Sequence, residues 1–378
     1  MRIEQKIFEN NIWRDIGSDL SFAREKAQLI LVFLGIGCID NTKVLSEIRA
    51  LYPKGSLIFI STAGEIISDE VHDDSIAVTA IEFERTSILT TAGEVTHSGE
   101  SEQIGYTLAK GLTPDKLKHI LVFADGIHIN GTSLIEGIKK GIGKNITISG
   151  GLAADAGKFT QTYVALNKLP DAHSQVVLVW LYGDITIWLG SVGWWEAYGD
   201  EMTVTRSSEN VVYELDHTPI LDLYKWYLWE LSHELPSSGL LFPLSIIGSD
   251  DKDTVRTLLG TQEADKSITF AGNIPTWSRV RLMRANFNKI IRAAWDAAND
   301  AKSNIGHPEL ALLVSCVWRK LILKEKAKEE VENVKNICGE NCKITGFYSN
   351  GEIGKRSSIL LDCELHNQTM TVTLLSEV

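Results

Sequence analysis

A chain of 378 residues has room for one large or two to three ordinary domains, and its 44% apolar and 23% charged residues exclude a disordered or collagen-like chain. The 37 Lys and Arg against 49 Asp and Glu leave a net charge of −12, and the basic residues of 320–328 are interleaved with glutamates, so nucleic acid and anionic membranes are not expected partners. No apolar run approaches the roughly 18–20 residues of a membrane helix, residues 1–6 carry no secretory apolar stretch, and five scattered cysteines fit a reducing cytoplasm.

In chain order, residues 29–34 read as a buried strand and 42–51 as an amphipathic helix stopped by Pro53. A second strand at 56–60 leads into Ser61-Thr-Ala-Gly-Glu-Ile66, and a third follows at 75–83. The plan recurs with strand 120–123, helix 133–142 and strand 146–149, which enters Gly150-Gly-Leu-Ala-Ala-Asp155. Between 164 and 213, short alternations at 176–181 and 184–191 point to antiparallel strands. A helix is expected over 219–231, with Asp216 or Thr218 as N-cap, and the domain boundary is placed there, giving residues 1–215 and 216–378.

The amphipathic stretch 279–301 predicts a long helix, and Gly306-His307-Pro308 separates it from a strand at 310–315. A helix over 323–338 and a strand over 344–348 lead into Ser349-Asn-Gly-Glu-Ile353, followed by a strand at 359–365. Gly-Glu-Ile shortly after a serine ends both the first and the last of these units, so the two regions read as diverged copies. The fold class expected is mixed α/β (α+β): repeated βαβ units in two pseudo-repeated halves with mixed sheets.

Ligands of α/β sheets bind beyond the carboxyl ends of strands, which singles out the polar residues placed there. Glu65, Asp125, Asp155, Asn350 and Glu352 offer acceptors, and Asn130 and Arg319 offer donors, among glycines that let backbone approach a ligand. The set suits a small polar ligand; turn glycines with capping acids are the plainer reading of any one of them. No dinucleotide fingerprint, P-loop, nucleophile elbow or His-Glu-x-x-His is present. Cys316 follows a strand and is the one thiol placed for a nucleophilic role. Cys338 and Cys342 lack the second pair of ligands that a structural zinc requires, and no other metal site is expected. Trp180, Trp188, Trp194, Trp195, Trp226 and Trp229 concentrate aromatic surface close to His217 and His233, a composition from which a haem pocket can be built.

At these motifs the sequence resembles the FIST family of paired FIST N and FIST C sensory domains. The resemblance is carried by Ser61–Ile66, by Asp125-Gly with Asn130-Gly131, by Gly150–Asp155 followed by Phe159 and Thr162, and by Val212-Tyr-Glu-Leu-Asp216. Gly346-Phe-Tyr-Ser-Asn-Gly-Glu-Ile353 and Leu365-His-Asn-Gln-Thr369 complete it. It implies a FIST N-like domain over 1–215 and a FIST C-like domain over 216–378 that together bind a small ligand such as an amino acid without catalysis. Occupancy would be passed to a separate signalling protein, a histidine kinase or a cyclic-di-GMP enzyme, and a homodimer is one assembly open to such a protein. An amino-acid ligand would pair its carboxylate with Arg319 and its ammonium with one of the acids.

A narrower similarity, to the NosP branch of that family, rests on Ser237-Ser-Gly-Leu-Leu-Phe-Pro-Leu244, Val255-Arg-Thr-Leu-Leu259, Phe270-Ala-Gly272 and Arg281-Leu-Met-Arg-Ala-Asn-Phe287. It implies haem b held by a histidine, with nitric oxide as the signal, and His366, His128 and His233 are the ligands to test. The chain departs from the family pattern at Trp194-Trp195-Glu196, where many relatives have Trp-x-Pro, and at Asn350 before Gly351-Glu352.

Overall fold

Seven- and eight-residue stretches rich in Leu, Ile, Val and Phe, buried almost throughout, become the central strands of three similar units. A computed structural model describes residues 1–112, 115–143, 146–192, 195–248, 253–303, 305–355 and 363–377. The first unit comprises β1 (Leu29–Gly35), α1 (Thr42–Leu51), β2 (Ser56–Thr62), β3 (Glu65–Ile67) and β4 (Ile76–Glu82). The second comprises β5 (Leu117–Ala124), α2 (Gly131–Ile142), β6 (Thr147–Leu152), β7 (Val164–Leu166) and β8 (Gln175–Gly183). After β9 (Ile185–Val192) and α3 (Phe287–Lys302) comes the third: β10 (Leu310–Cys316), α4 (Val317–Leu323), α5 (Ala327–Cys338), β11 (Lys343–Ser349), β12 (Gly351–Lys355), β13 (Cys363–His366) and β14 (Met370–Glu377).

In every unit the second strand runs parallel to the first, and the later strand of the unit returns antiparallel on the first strand's other side. The short strand after the second one leaves its own sheet. β3 pairs with β11, β12 with β6, and β7 with β2, all antiparallel. Unit one therefore edges unit three, unit three edges unit two, and unit two edges unit one, which closes a ring. The fold is the mixed α/β expected, with several mixed sheets; the repeat has three copies, and the two regions matched through Gly-Glu-Ile are the first and third.

Equivalent backbone bonds fix the correspondence between copies: Gly35 N to Ser75 O at 2.9 Å, Asp125 N to Gln175 O at 2.9 Å and Cys316 N to Thr369 O at 3.2 Å. Two residues earlier on each first strand stand Phe33, Phe123 and Val314. The rings of Phe33, Phe123 and Phe347 meet in one core with centroids 4.9 to 6.4 Å apart, Phe347 lying opposite Val314 in register. Gly151, opposite Phe123, leaves the room: a Cβ there would meet Val314 Cγ1 at 2.6 Å and Phe347 Cζ at 3.2 Å.

Residues 195–285 form an excursion between β9 and α3, a curled antiparallel sheet around its own core of Val204, Val212, Leu215, Ile268 and Phe270. Here the structure departs from the sequence expectations. The helix expected over 279–301 is a strand, Arg279–Ala285, followed by α3, because Val280 and Leu282 alternate into that core and the Asn286 side chain caps the helix at Lys289 N. The helix expected from 219 spans Ile220–Leu228 with Pro219 at its N-cap. Asp216 and His217, both with positive φ, instead form the tight turn before Thr218–Pro219. The helix expected over 323–338 is broken at Lys324, where φ is +53°, into α4 and α5. Trp194 and most of the strand expected at 359–365 lie outside the described residues.

Candidate functional site

The carboxyl ends of β5, β6 and β11 converge on the excursion sheet, and a cavity of about 150 Å³ opens at that junction. The turn after β5 contributes Gly126, Ile127, Ile129, Asn130 and Gly131; the third unit contributes Asn350, Leu365 and Asn367; the excursion contributes Asn210, Leu259, Phe270, Ala271 and Gly272. Close backbone approach shapes the wall at Gly126, where a Cβ would lie 1.8 Å from Ala153 O and 2.9 Å from Asn350 Nδ2.

Two residues of this wall carry side-chain oxygens that no protein group pairs. Asn350 Oδ1 and Asn367 Oδ1 are buried with no hydrogen-bond partner, in side chains 7% and 1% exposed, whereas native interiors pair nearly all such atoms. Asn130 is fully engaged, its Oδ1 capping α2 at Ser133 N and its Nδ2 donating to Asn273 Oδ1 at 2.8 Å, a bond between the second unit and the excursion. No charged side chain lines the cavity among the described residues. Asp125 lies behind Gly126 and accepts from Ile127 N, His128 N and Thr162 Oγ1. Arg256 lies behind Gly272, its guanidinium donating to the carbonyls of Asn273, Val255 and Leu365.

The other residues expected at strand ends are placed elsewhere. Glu65 and Glu352 are fully buried and tie β3 and β12 back to their own units in the same way. Glu65 accepts from the Thr62 hydroxyl and from Ser75 N and Oγ; Glu352 accepts from the Ser349 hydroxyl and from Thr369 N and Oγ1. Burial pushes each carboxyl up to about 7, an effect that the hydrogen-bond donors and, at Glu65, the charge of Lys320 only partly offset. Asp155 binds Phe159 N, Thr160 N and Gln161 N, and so sets the turn that brings Phe159 to the cavity. Arg319, 1% exposed, is paired with Glu330 and donates to Ile290 O at 2.7 Å. Cys316 is buried, and burial followed by the neighbouring Glu352 raises its thiol well above the ordinary value. Of the strand-end set, then, the structure brings Asn130 and Asn350 together in the cavity wall with Asp125 behind it. Asn367, Asn210 and Gly126 complete it; the first was visible only as part of Leu365–Thr369, and Asn210 carries no local signal beyond its turn.

Sequence models of the FIST N domain and the FIST C domain match residues 28–218 and 221–355. The chain belongs to the FIST family. FIST domains are sensory domains of signalling proteins, and in this FIST protein the cavity lies where the two matched regions meet. Comparison with functionally described proteins finds no match.

The histidines expected to hold haem are dispersed. His128 is half exposed, with Nδ1 3.2 Å from Asp125 Oδ1 and 3.0 Å from Ser174 Oγ. His366 is buried on β13, its Nε2 without a partner, between the cavity-lining Leu365 and Asn367 but not itself in the lining. His233 borders a separate cavity of about 310 Å³ walled by Lys225, Ser232, Thr261 and Glu263, and the largest cavity described, about 680 Å³, has no histidine in its lining. A macrocycle needs an apolar pocket larger than the roughly 150 Å³ that holds a benzene ring, and the three histidines do not line one described cavity together. Of the tryptophans, Trp180 is buried and donates to Thr91 Oγ1, while Trp226 and Trp229 are exposed. No helix is long and apolar enough to cross a membrane, and no cluster of three or more His, Cys, Asp or Glu placed for a metal occurs, among the described residues.

Proposed function

We propose that this FIST protein is a sensory module that binds one small molecule in the cavity at the ends of β5, β6 and β11 and reports its occupancy to a separate signalling protein, of the histidine kinase or cyclic-di-GMP class. The observation that carries the reading is the pair of unpartnered amide oxygens, Asn350 Oδ1 and Asn367 Oδ1, in the wall of one cavity. Two acceptors that the protein itself leaves unpaired on one wall are groups that the donors of a ligand can pair. Because the wall is built from the ring and from the excursion, a ligand that pairs these oxygens also favours one placement of the excursion, and that differential is what a partner would read.

The reading is tested by exchanging each asparagine for the apolar side chain nearest in size. Asn367→Leu is expected to raise the melting temperature of the free protein while abolishing the thermal stabilisation given by any small-molecule hit, and Asn350→Leu to abolish the same response. Hits that stabilise both variants as they do the parent would place binding elsewhere and overturn the reading.

A further inference from the structure

Resting on the reading of this cavity as the sensory site, the geometry points to a ligand of one chemical class: an uncharged molecule of single-ring size that presents N–H donors of a carboxamide or lactam. Volume sets the size, since a cavity of about 150 Å³ accommodates one six-membered ring. Charge sets the class. A carboxylate or ammonium group brought here would lose its hydration without meeting a counter-ion, because no charged side chain lines the cavity among the described residues and the guanidinium of Arg256 and the carboxylate of Asp125 lie behind the wall with hydrogen-bond partners of their own.

Hydrogen-bond polarity then sets the functional group. The Asn350 amide turns Nδ2 toward Gly126 O, 3.5 Å away, and the atom left over is Oδ1. Asn210 likewise commits Nδ2, to Phe270 O at 2.9 Å. With Asn367 Oδ1 also unpartnered, the unpaired amide atoms of the wall are both acceptors, beside the Ser98 hydroxyl, and a carboxamide supplies two N–H groups from one planar nitrogen. The ring of such a ligand meets the apolar part of the wall, Leu152, Phe159 and Phe270.

Benzamide, benzoate and benzylamine share a ring and differ in charge and donor pattern, so calorimetric titration of the full chain with each separates the alternatives. Benzamide is expected to bind at least about tenfold more tightly than benzoate or benzylamine, and Asn350→Leu to weaken benzamide by about tenfold or more. Equal or tighter binding of benzoate or benzylamine, lost in Asn350→Leu, would overturn the class of ligand and leave the sensory site standing. Binding of none of the three would overturn the class as well. Benzamide binding that survives both Asn350→Leu and Asn367→Leu would overturn the site itself.

Discussion

Two glutamates with the same residue type before and after them do the same work 287 positions apart in the chain, and their burial has a consequence for pH. Each carboxyl is pushed from 4.5 to about 7 by desolvation, which its hydroxyl and N–H donors only partly offset. Between those values the folded protein holds protons that the unfolded chain has released, so stability is full below about pH 4.5 and is lost as pH rises through 7. The full window is on the order of 3 kcal/mol per glutamate, of which about 1 kcal/mol falls between pH 6.5 and 8. His119, buried between Thr147 and Ser149 and depressed to about 3, acts in the opposite sense: its contribution is lost as pH falls below 6.5 and is constant above it. Urea unfolding across pH 6.5–8 should therefore show a falling stability that flattens in the Glu65→Gln, Glu352→Gln double variant, whose amides reproduce the protonated carboxyl. A parallel fall in the double variant would mean that other groups titrate there. Cys316 belongs at the same scale. As a buried thiol held protonated beside Glu352, it should resist iodoacetamide at neutral pH in the native protein, and rapid labelling would reopen a nucleophilic role.

At the scale of elements, the strands that carry the ring were legible and the helices only in part. Runs such as 29–34 and 310–315 are apolar on both faces and of strand length, a pattern that fits a buried strand, and they stand where expected. The stretch 279–301 misleads because two apolar periodicities abut at Asn286: period two through Val280 and Leu282, then period 3.6 through Ile290, Ala293, Ala294 and Ala297. What no local pattern reveals is where β3, β7 and β12 go, since three- to five-residue strands carry too little periodicity to say that each pairs with a different unit. The cavity was half legible for the same reason. Asn130 and Asn350 follow strands and could be picked out, whereas Asn210 and Asn367 reach the wall only through long-range packing. One element-level consequence is testable at Gly151. A side chain there enters the space of Phe347 and Val314, so Gly151→Val should destabilise by about 1–3 kcal/mol through overpacking, measured as a shift of the urea midpoint. An unchanged midpoint would show that the ring axis is looser than its close contacts imply.

Exchange of edge strands ties the two matched family domains to each other, which predicts that they unfold as one cooperative body. The first domain's β3 finds its partner β11 in the second, and the second domain's β12 completes the edge of β6 in the first. The aromatic core repeats this dependence, since Phe33 and Phe123 come from one matched region and Phe347 from the other. A fragment ending at residue 218 would expose the backbone edges of β3 and β6 together with the apolar surface that faces Phe347, and such edges are sites of aggregation. Calorimetry of the intact chain should therefore give one unfolding transition with matching calorimetric and van't Hoff enthalpies, and residues 1–218 and 219–378 should be soluble only when produced together. Phe347→Ala, which removes the third ring of the shared core, should lower the stability of the entire molecule by about 3–5 kcal/mol while keeping the single transition. Two resolved transitions, with only the later half affected by that substitution, would instead mean that the matched domains fold independently. A cavity walled by residues of both matched regions would then have to be assembled by docking, where a single cooperative body carries it as part of the fold.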